Sequence, residues 1–65
     1  MDTLYEARVK KRKKQSDMAK TIGKSIPFYR NIEKNPHLAS IQQADKISQY
    51  LGVTMSEINW RERLQ

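Results

Sequence analysis

The sequence predicts an all-α protein, a compact five-helix domain that occupies residues 1–65. Three observations support this. The chain has only two glycines, two prolines and few β-branched runs, its apolar residues recur at helical spacing, and Gly23 divides residues 15–34 into two short segments that each carry an apolar face. The chain also has no cysteine, so its small core must form without disulfides or a thiolate zinc site.

Helix 1 is predicted to begin at a capping box, in which Thr3 caps the helix while Glu6 reaches back to the Thr3 backbone. Leu4 and Ala7 are expected to face the core, with Val9 at the edge of the same stripe. The run from residue 8 to residue 14 then holds six cations in seven residues. This run could contact phosphates or could simply be a favourable helix C-terminus.

Helices 2 and 3 are predicted on either side of Gly23, which can take the positive φ that ends a helix sharply. Ser25 can cap helix 3, which should run over residues 26–34, and Pro27 in its first turn costs no hydrogen bond. The shared inner face of the two helices consists of Met18, Ala19, Ile22, Tyr29 and Ile32.

Helices 4 and 5 follow. The inward stripe predicted for helix 4 is Leu38, Ile41, Ala44, Ile47 and Leu51, and Gly52 ends the helix. Thr54 and Glu57 form a second capping box with Val53 and Ile58 as its hydrophobic staple, which predicts a short helix 5. Trp60 and Leu64 follow without an obvious cap or stop, and one interpretation is that they complete the core.

The net charge of +6 is unevenly distributed. Residues 8–34 hold ten Lys or Arg against Asp17 and Glu33, a net of +8, whereas residues 1–7 carry −2 and residues 35–65 carry zero. Such a basic face attracts polyanions, although a solvated surface is the simpler explanation of an isolated charge run. Its coincidence with the predicted helical pair favours nucleic acid.

Other functional classes find little support. The seven acids are scattered, His37 is the one histidine, and no nucleophile lies beside a base, so we expect no enzyme, metal or cofactor, and no small-molecule ligand is evident. Gly23, Lys24 and Ser25 are not a phosphate loop, because Met18 occupies the position of the required earlier glycine. Without a membrane span or leader, a cytoplasmic location is expected.

A family resemblance accounts for this pattern. Residues 15–33 resemble the helix-turn-helix of the lambda-repressor-like (Cro/C1, XRE) family of bacterial and phage DNA-binding proteins, and residues 35–41 and 47–53 are similar to its loop and fourth helix. Lys11 and Lys13 stand where relatives are often apolar, and Lys14 where Ser or Thr usually caps helix 2. The matching residues are Gln15, Ala19, Gly23, Ser25, Tyr29, Asn31, Ile32 and Glu33.

The resemblance implies that helix 3 enters the major groove. Arg30 can pair with guanine and Asn31 with adenine, although phosphate contact is the alternative for both. Ile26 or Pro27 can touch a thymine methyl, and Ser25 could serve a base or a phosphate, while Phe28 is expected to pack beside helix 2. The predicted base-contacting residues are Ser25, Ile26, Pro27, Arg30 and Asn31.

Further residues are expected to fix the protein on the DNA backbone. The resemblance implies phosphate binding by Gln15, and a largely buried ion pair between Arg8 and Glu33 that joins helix 1 to helix 3. The predicted phosphate contacts are Lys14, Gln15, Lys24, Lys34 and Asn35.

The resulting prediction is a sequence-specific transcriptional regulator, similar to a Cro or C1 repressor, that binds a double-stranded operator as a homodimer. For Trp60 and Leu64 the resemblance implies a second interpretation, a dimer contact, and this and the core interpretation both stay open. Two alternatives stay open. One is a protein-interaction module, such as an antitoxin or anti-repressor, that uses the same scaffold for a protein partner. The other is sequence-indifferent, architectural DNA binding.

Overall fold

The computed structural model describes residues 1–61, and within that range it contains four α-helices and two short strands. The helices are α1 (Leu4–Lys10), α2 (Gln15–Thr21), α3 (Ile26–Lys34) and α4 (Ile41–Leu51). Strands β1 (Asp2–Thr3) and β2 (Ile58–Asn59) pair in parallel, and two single 3-10 turns lie at Pro36–Leu38 and Met55–Glu57. The mainly helical fold and the first four helices therefore agree with the prediction.

The segment predicted as helix 5 is different, because it forms a 3-10 turn followed by β2. Thr54 makes no capping hydrogen bond, and its hydroxyl lies 3.0 Å from that of Ser56. Ile58 instead lies opposite Asp2 in the strand pair, and its side chain is buried in the core. An extended segment here ties the end of the described chain to its beginning, which local capping residues could not indicate.

The core lies where α1, α2, α3 and α4 meet. Tyr29 is the largest of its fully buried side chains, and Ile58 contributes from β2. Val53 and Trp60 pack against the core while remaining partly exposed. The core residues are Leu4, Ala7, Met18, Ala19, Ile22, Tyr29, Ile32, Ile47, Leu51 and Ile58, which includes the whole inner face predicted for helices 2 and 3.

The inward stripe of α4 is shorter than predicted. Ala44, Ile47 and Leu51 are buried, but Leu38 is 52 % exposed and Ile41 is 81 % exposed. Ser40 caps α4 through the Gln43 backbone N–H, which makes Ile41 the first helical residue and leaves Leu38 in a separate 3-10 turn. The helical periodicity therefore did not extend across the cap.

Two backbone turns set the position of α2 relative to its neighbours. Gly23 has φ of 68° and ends α2, and the Lys24 N–H donates to the Ala19 carbonyl at 2.9 Å. Arg12 has φ of 56° just after α1, a left-handed conformation that L-residues rarely adopt. Lys13 follows and donates its N–H to the Arg8 carbonyl at 3.2 Å, which closes the end of α1.

Candidate nucleic-acid interface

The residues predicted to contact bases all lie on the exposed face of α3 or at its N-cap. Tyr29, Ile32 and Glu33 occupy the opposite, buried face, so the helical period turns the remaining positions outward. The exposed set is Ser25, Ile26, Pro27, Arg30 and Asn31.

The start of α3 is fixed by its cap. The Ser25 hydroxyl oxygen accepts the Phe28 backbone N–H at 3.2 Å, while the hydroxyl hydrogen can still be donated to another acceptor. Pro27 lies in the first turn, where its missing N–H removes no helical bond. Ser25 can therefore cap the helix and donate to a ligand at the same time.

Phe28 is more exposed than expected for a side chain packed beside α2. The residue is 42 % exposed, and the Lys24 ammonium lies 5.3 Å from the centroid of its ring. This cation–π contact holds the turn lysine near the first turn of α3.

Asn31 presents its amide from the middle of α3. Asn35 donates to its side-chain oxygen at 3.5 Å, which is the long limit of a hydrogen bond. A bond this weak can give way to a better partner, so both the oxygen and the NH2 group of Asn31 can meet an adenine edge.

The residues predicted to contact phosphates differ in how exposed they are. Lys14, Lys24 and Lys34 are exposed, whereas Gln15 and Asn35 are half-buried. Lys14 occupies the N-cap of α2, where its backbone N–H donates to the Asp17 carboxylate at 3.1 Å and its side chain has no acceptor with which to cap the helix. Its ammonium is therefore left to interact with anions.

The ion pair implied by the resemblance is present and is bidentate. Arg8 Nε lies 2.7 Å from Glu33 Oε2, and Arg8 Nη2 lies 3.1 Å from Glu33 Oε1. Arg8 Nη1 also donates to the Lys13 carbonyl at 2.8 Å. The hydrogen bond to Glu33 raises the pKa of Arg8 above its ordinary value, so this guanidinium stays charged. The pair links α1, the basic segment after it and α3.

Gln15 extends this network to the surface. Its Nε2 donates to Glu33 Oε1 at 3.2 Å, and its Oε1 accepts from Arg30 Nε at 3.1 Å. The continuous series of bonds runs from Arg8 through Glu33 and Gln15 to Arg30. The Tyr29 hydroxyl is buried beside it without a hydrogen-bond partner. Burial, followed by the nearby Glu33 carboxylate, raises the pKa of Tyr29 far above its ordinary value.

Sequence reasoning did not identify the linkage of Gln15 to both Glu33 and Arg30, because it depends on how α2 crosses α3. It also missed the left-handed Arg12 and the Lys13 ammonium, which lies 4.9 Å from the centroid of the Tyr50 ring. The sequence signal at Arg12 and Lys13 is the dense run of cations to which both belong. Such a run does not indicate which cation takes a left-handed backbone or contacts an aromatic ring.

A shallow apolar groove lies outside the basic segment, between the loop after α3 and the last described residues. Trp60 packs partly on the core, donates Nε1–H to the Met55 carbonyl at 3.0 Å and lines the groove with Ile41. The packing of Trp60 on the core agrees with one of its two interpretations, and its dimer contact stays a prediction. Leu64 lies outside the described residues. Pro36, Ala39 and Met55 also line this groove.

Within residues 1–61, no cluster of three or more His, Asp or Glu side chains is arranged to hold a metal ion. None of the helices in this range is both long and apolar enough to cross a membrane. His37 is exposed beside the apolar groove.

A family model described as helix-turn-helix matches residues 4–58, which is most of the chain and includes α1, α2, α3 and α4. No curated protein and no solved structure matches the chain.

Proposed function

Because the chain belongs to the Cro/C1-type helix-turn-helix family of DNA-binding regulators, we propose that it reads an operator in double-stranded DNA through α3. In this mode α3 lies in the major groove, with its N-terminal half against the base edges. The regulator is a binding protein rather than an enzyme, and residues 1–65 act as one domain.

The observation that carries this proposal is the exposed face of α3. It presents a hydroxyl at Ser25, apolar surface at Ile26 and Pro27, and the amide of Asn31, all projecting from a helix held rigidly by its buried face. Amides recognise adenine and apolar groups recognise the thymine methyl, so this face favours A·T pairs.

Phosphate contacts on both sides of α3 would fix the position of the protein along the DNA. Lys14 and Gln15 lie at the start of α2, Lys24 in the turn, and Lys34 and Asn35 at the end of α3. These positions flank the base-reading face, and all of them except Asn35 lie within the segment of net charge +8. Such contacts supply affinity without sequence information and make binding sensitive to salt.

We also propose that two copies bind a two-fold operator. The apolar groove next to Trp60, with the 81 % exposed Ile41 at its edge, supports a contact between copies on this side of the protein. Leu64 stays a candidate for the same contact. Membership of the family also supports repression by blocking polymerase, in the cytoplasm, by a protein of phage or bacterial origin.

The test is selection of binding sites from random duplex DNA, followed by titration of the selected duplex and a scrambled duplex at two salt concentrations. A palindrome preferred by at least about a thousandfold supports a dimeric, sequence-specific regulator. Half-sites should lie about one helical turn apart. Salt-sensitive binding without an enriched sequence would favour the architectural role, and no binding near physiological salt would favour a protein partner.

A further inference from the structure

We propose that Arg30 contacts a DNA phosphate in an orientation set by Gln15, and does not read a base. This inference rests on the proposed DNA-binding function and changes the role assigned to Arg30 from the sequence. It also makes Gln15 a positioning residue in addition to its own predicted phosphate contact.

The amide of Gln15 is engaged at both ends. Its oxygen accepts from Arg30 Nε at 3.1 Å, and its nitrogen donates to Glu33 Oε1 at 3.2 Å. A flipped amide would place its NH2 group against the Arg30 donor and its oxygen against the Glu33 acceptor, so only one orientation satisfies both partners. The side chain of Gln15 is therefore fixed.

The other end of this series is anchored in the interior. Glu33 is buried, with a side chain only 7 % exposed, and Arg8 holds it through two charged bonds. Arg8 is held in turn by the Lys13 carbonyl. The Arg30 guanidinium is thus anchored to the core through the side chains of Gln15, Glu33 and Arg8. Its position does not depend on the flexible arginine side chain alone.

This hydrogen bond holds Arg30 Nε against the side chain of the first residue of α2. A guanine contact that used Nε would have to break the bond to Gln15. Both terminal nitrogens remain for an acceptor, and they suit a phosphate that lies across the start of α2, where Lys14 adds a second positive charge. The Glu33 carboxylate, the nearest acid of the network, is already satisfied by Arg8 and Gln15.

The experiment measures affinity for the selected operator and for a scrambled duplex over a series of salt concentrations. The variants are Arg30→Ala, Arg30→Lys, Gln15→Ala and the Gln15→Ala/Arg30→Ala pair. Lys46→Ala is the matched control, because it removes an exposed cation from α4, outside the basic segment. Circular dichroism melting shows that each variant is folded at the assay temperature.

Arg30→Ala should weaken binding to both duplexes by about tenfold near 0.1 M salt and lower the salt slope by about 0.9, the value for one phosphate. Arg30→Lys should keep most of the slope, because it keeps the charge. In the Gln15→Ala background, removing Arg30 should cost clearly less than tenfold, since Arg30 has already lost its orientation. Lys46→Ala should leave both affinities nearly unchanged.

A loss by Arg30→Ala that is confined to the operator, with an unchanged salt slope, would overturn this inference alone and make Arg30 a base reader. If the loss of affinity in the double variant equals the product of the losses in Gln15→Ala and Arg30→Ala, the two residues act independently. That result would overturn the positioning role of Gln15. If the wild-type protein binds neither duplex, the proposed function itself fails, and the inference fails with it.

Discussion

Arg8 and Glu33, twenty-five residues apart, form a two-pronged ion pair with nitrogen–oxygen distances of 2.7 and 3.1 Å. Both side chains are largely buried, at 13 % and 7 % exposure. The pair connects α1 to α3 and supports Gln15 as well, so its removal should affect both the stability of the fold and the geometry of the DNA-binding face.

Glu33→Ala should lower the free energy of unfolding by about 3 kcal/mol, because it leaves the Arg8 charge buried without its partner. Urea denaturation at neutral pH measures this loss. The control is Asp2→Ala, which breaks the exposed pair with Lys10 and should leave the denaturation midpoint almost unchanged. Equal midpoints for Glu33→Ala and the wild-type protein would contradict the structural role of the pair.

Tyr29→Phe should change the stability at neutral pH by less than about 1 kcal/mol, or increase it slightly, because the buried hydroxyl it removes has no hydrogen-bond partner. Thermal and urea unfolding of the two proteins give this comparison. A loss of several kcal/mol would mean that the hydroxyl is bonded within the Arg8–Glu33 network.

The same variant tests the pH dependence. Burial raises the folded-state pKa of Tyr29 above its ordinary value of 10.0, so the unfolded chain releases this proton first. The stability that the protonated Tyr29 contributes is therefore complete below pH 10. Above pH 10 the free energy of unfolding falls by up to about 1.4 kcal/mol per pH unit, because only the unfolded chain has lost this proton. Urea unfolding at pH 8 and pH 11 should therefore show a steeper alkaline loss in wild type than in Tyr29→Phe, and parallel losses would refute the assignment.

Arg12→Gly should stabilise the protein by about 1 kcal/mol, because glycine adopts a φ of 56° without the steric cost that arginine bears. Gly23→Ala is the reciprocal test: nothing lies near an added Cβ, so its loss of about 1 kcal/mol would come from the positive φ alone. Melting temperatures should move in opposite directions. Arg12→Ala, which removes the charge and keeps the strain, separates backbone from electrostatic effects.

Lys24→Ala and Asn31→Ala should weaken DNA binding in different ways. Lys24→Ala should weaken binding to all sequences similarly and reduce the salt slope by about one, whereas Asn31→Ala should cost about 1 to 3 kcal/mol on the operator and little elsewhere. Equilibrium titration of operator and scrambled duplex distinguishes the two. Equal losses on every sequence for Asn31→Ala would remove this residue from base readout.

Ile41→Glu should abolish cooperative binding of two copies to the operator without unfolding the protein, since Ile41 is 81 % exposed and an acid suits the first turn of α4. Gln42→Glu adds the same charge to the neighbouring exposed position and should leave cooperativity intact. Analytical ultracentrifugation with operator DNA reports the stoichiometry. Unchanged cooperativity in Ile41→Glu would place the contact elsewhere.

The sequence by itself determined most of the local structure of α1, α2 and α3 and the end of α4. The Thr3 and Ser25 caps, the positive-φ glycines at 23 and 52 and the inner faces of α2 and α3 all follow from short-range rules, because caps and helical periodicity act within a few residues. The concentration of positive charge on residues 8–34 is likewise visible in the order of the residues.

Only the tertiary structure decided the features that depend on distant partners. Residues 58–59 pair with residues 2–3 instead of continuing a helix, because Ile58 gains a buried position and backbone partners at the other end of the chain. Arg30 meets Gln15 because α2 and α3 cross at one particular place. Long polar side chains can reach several partners at similar cost, so packing rather than sequence pattern selects among them.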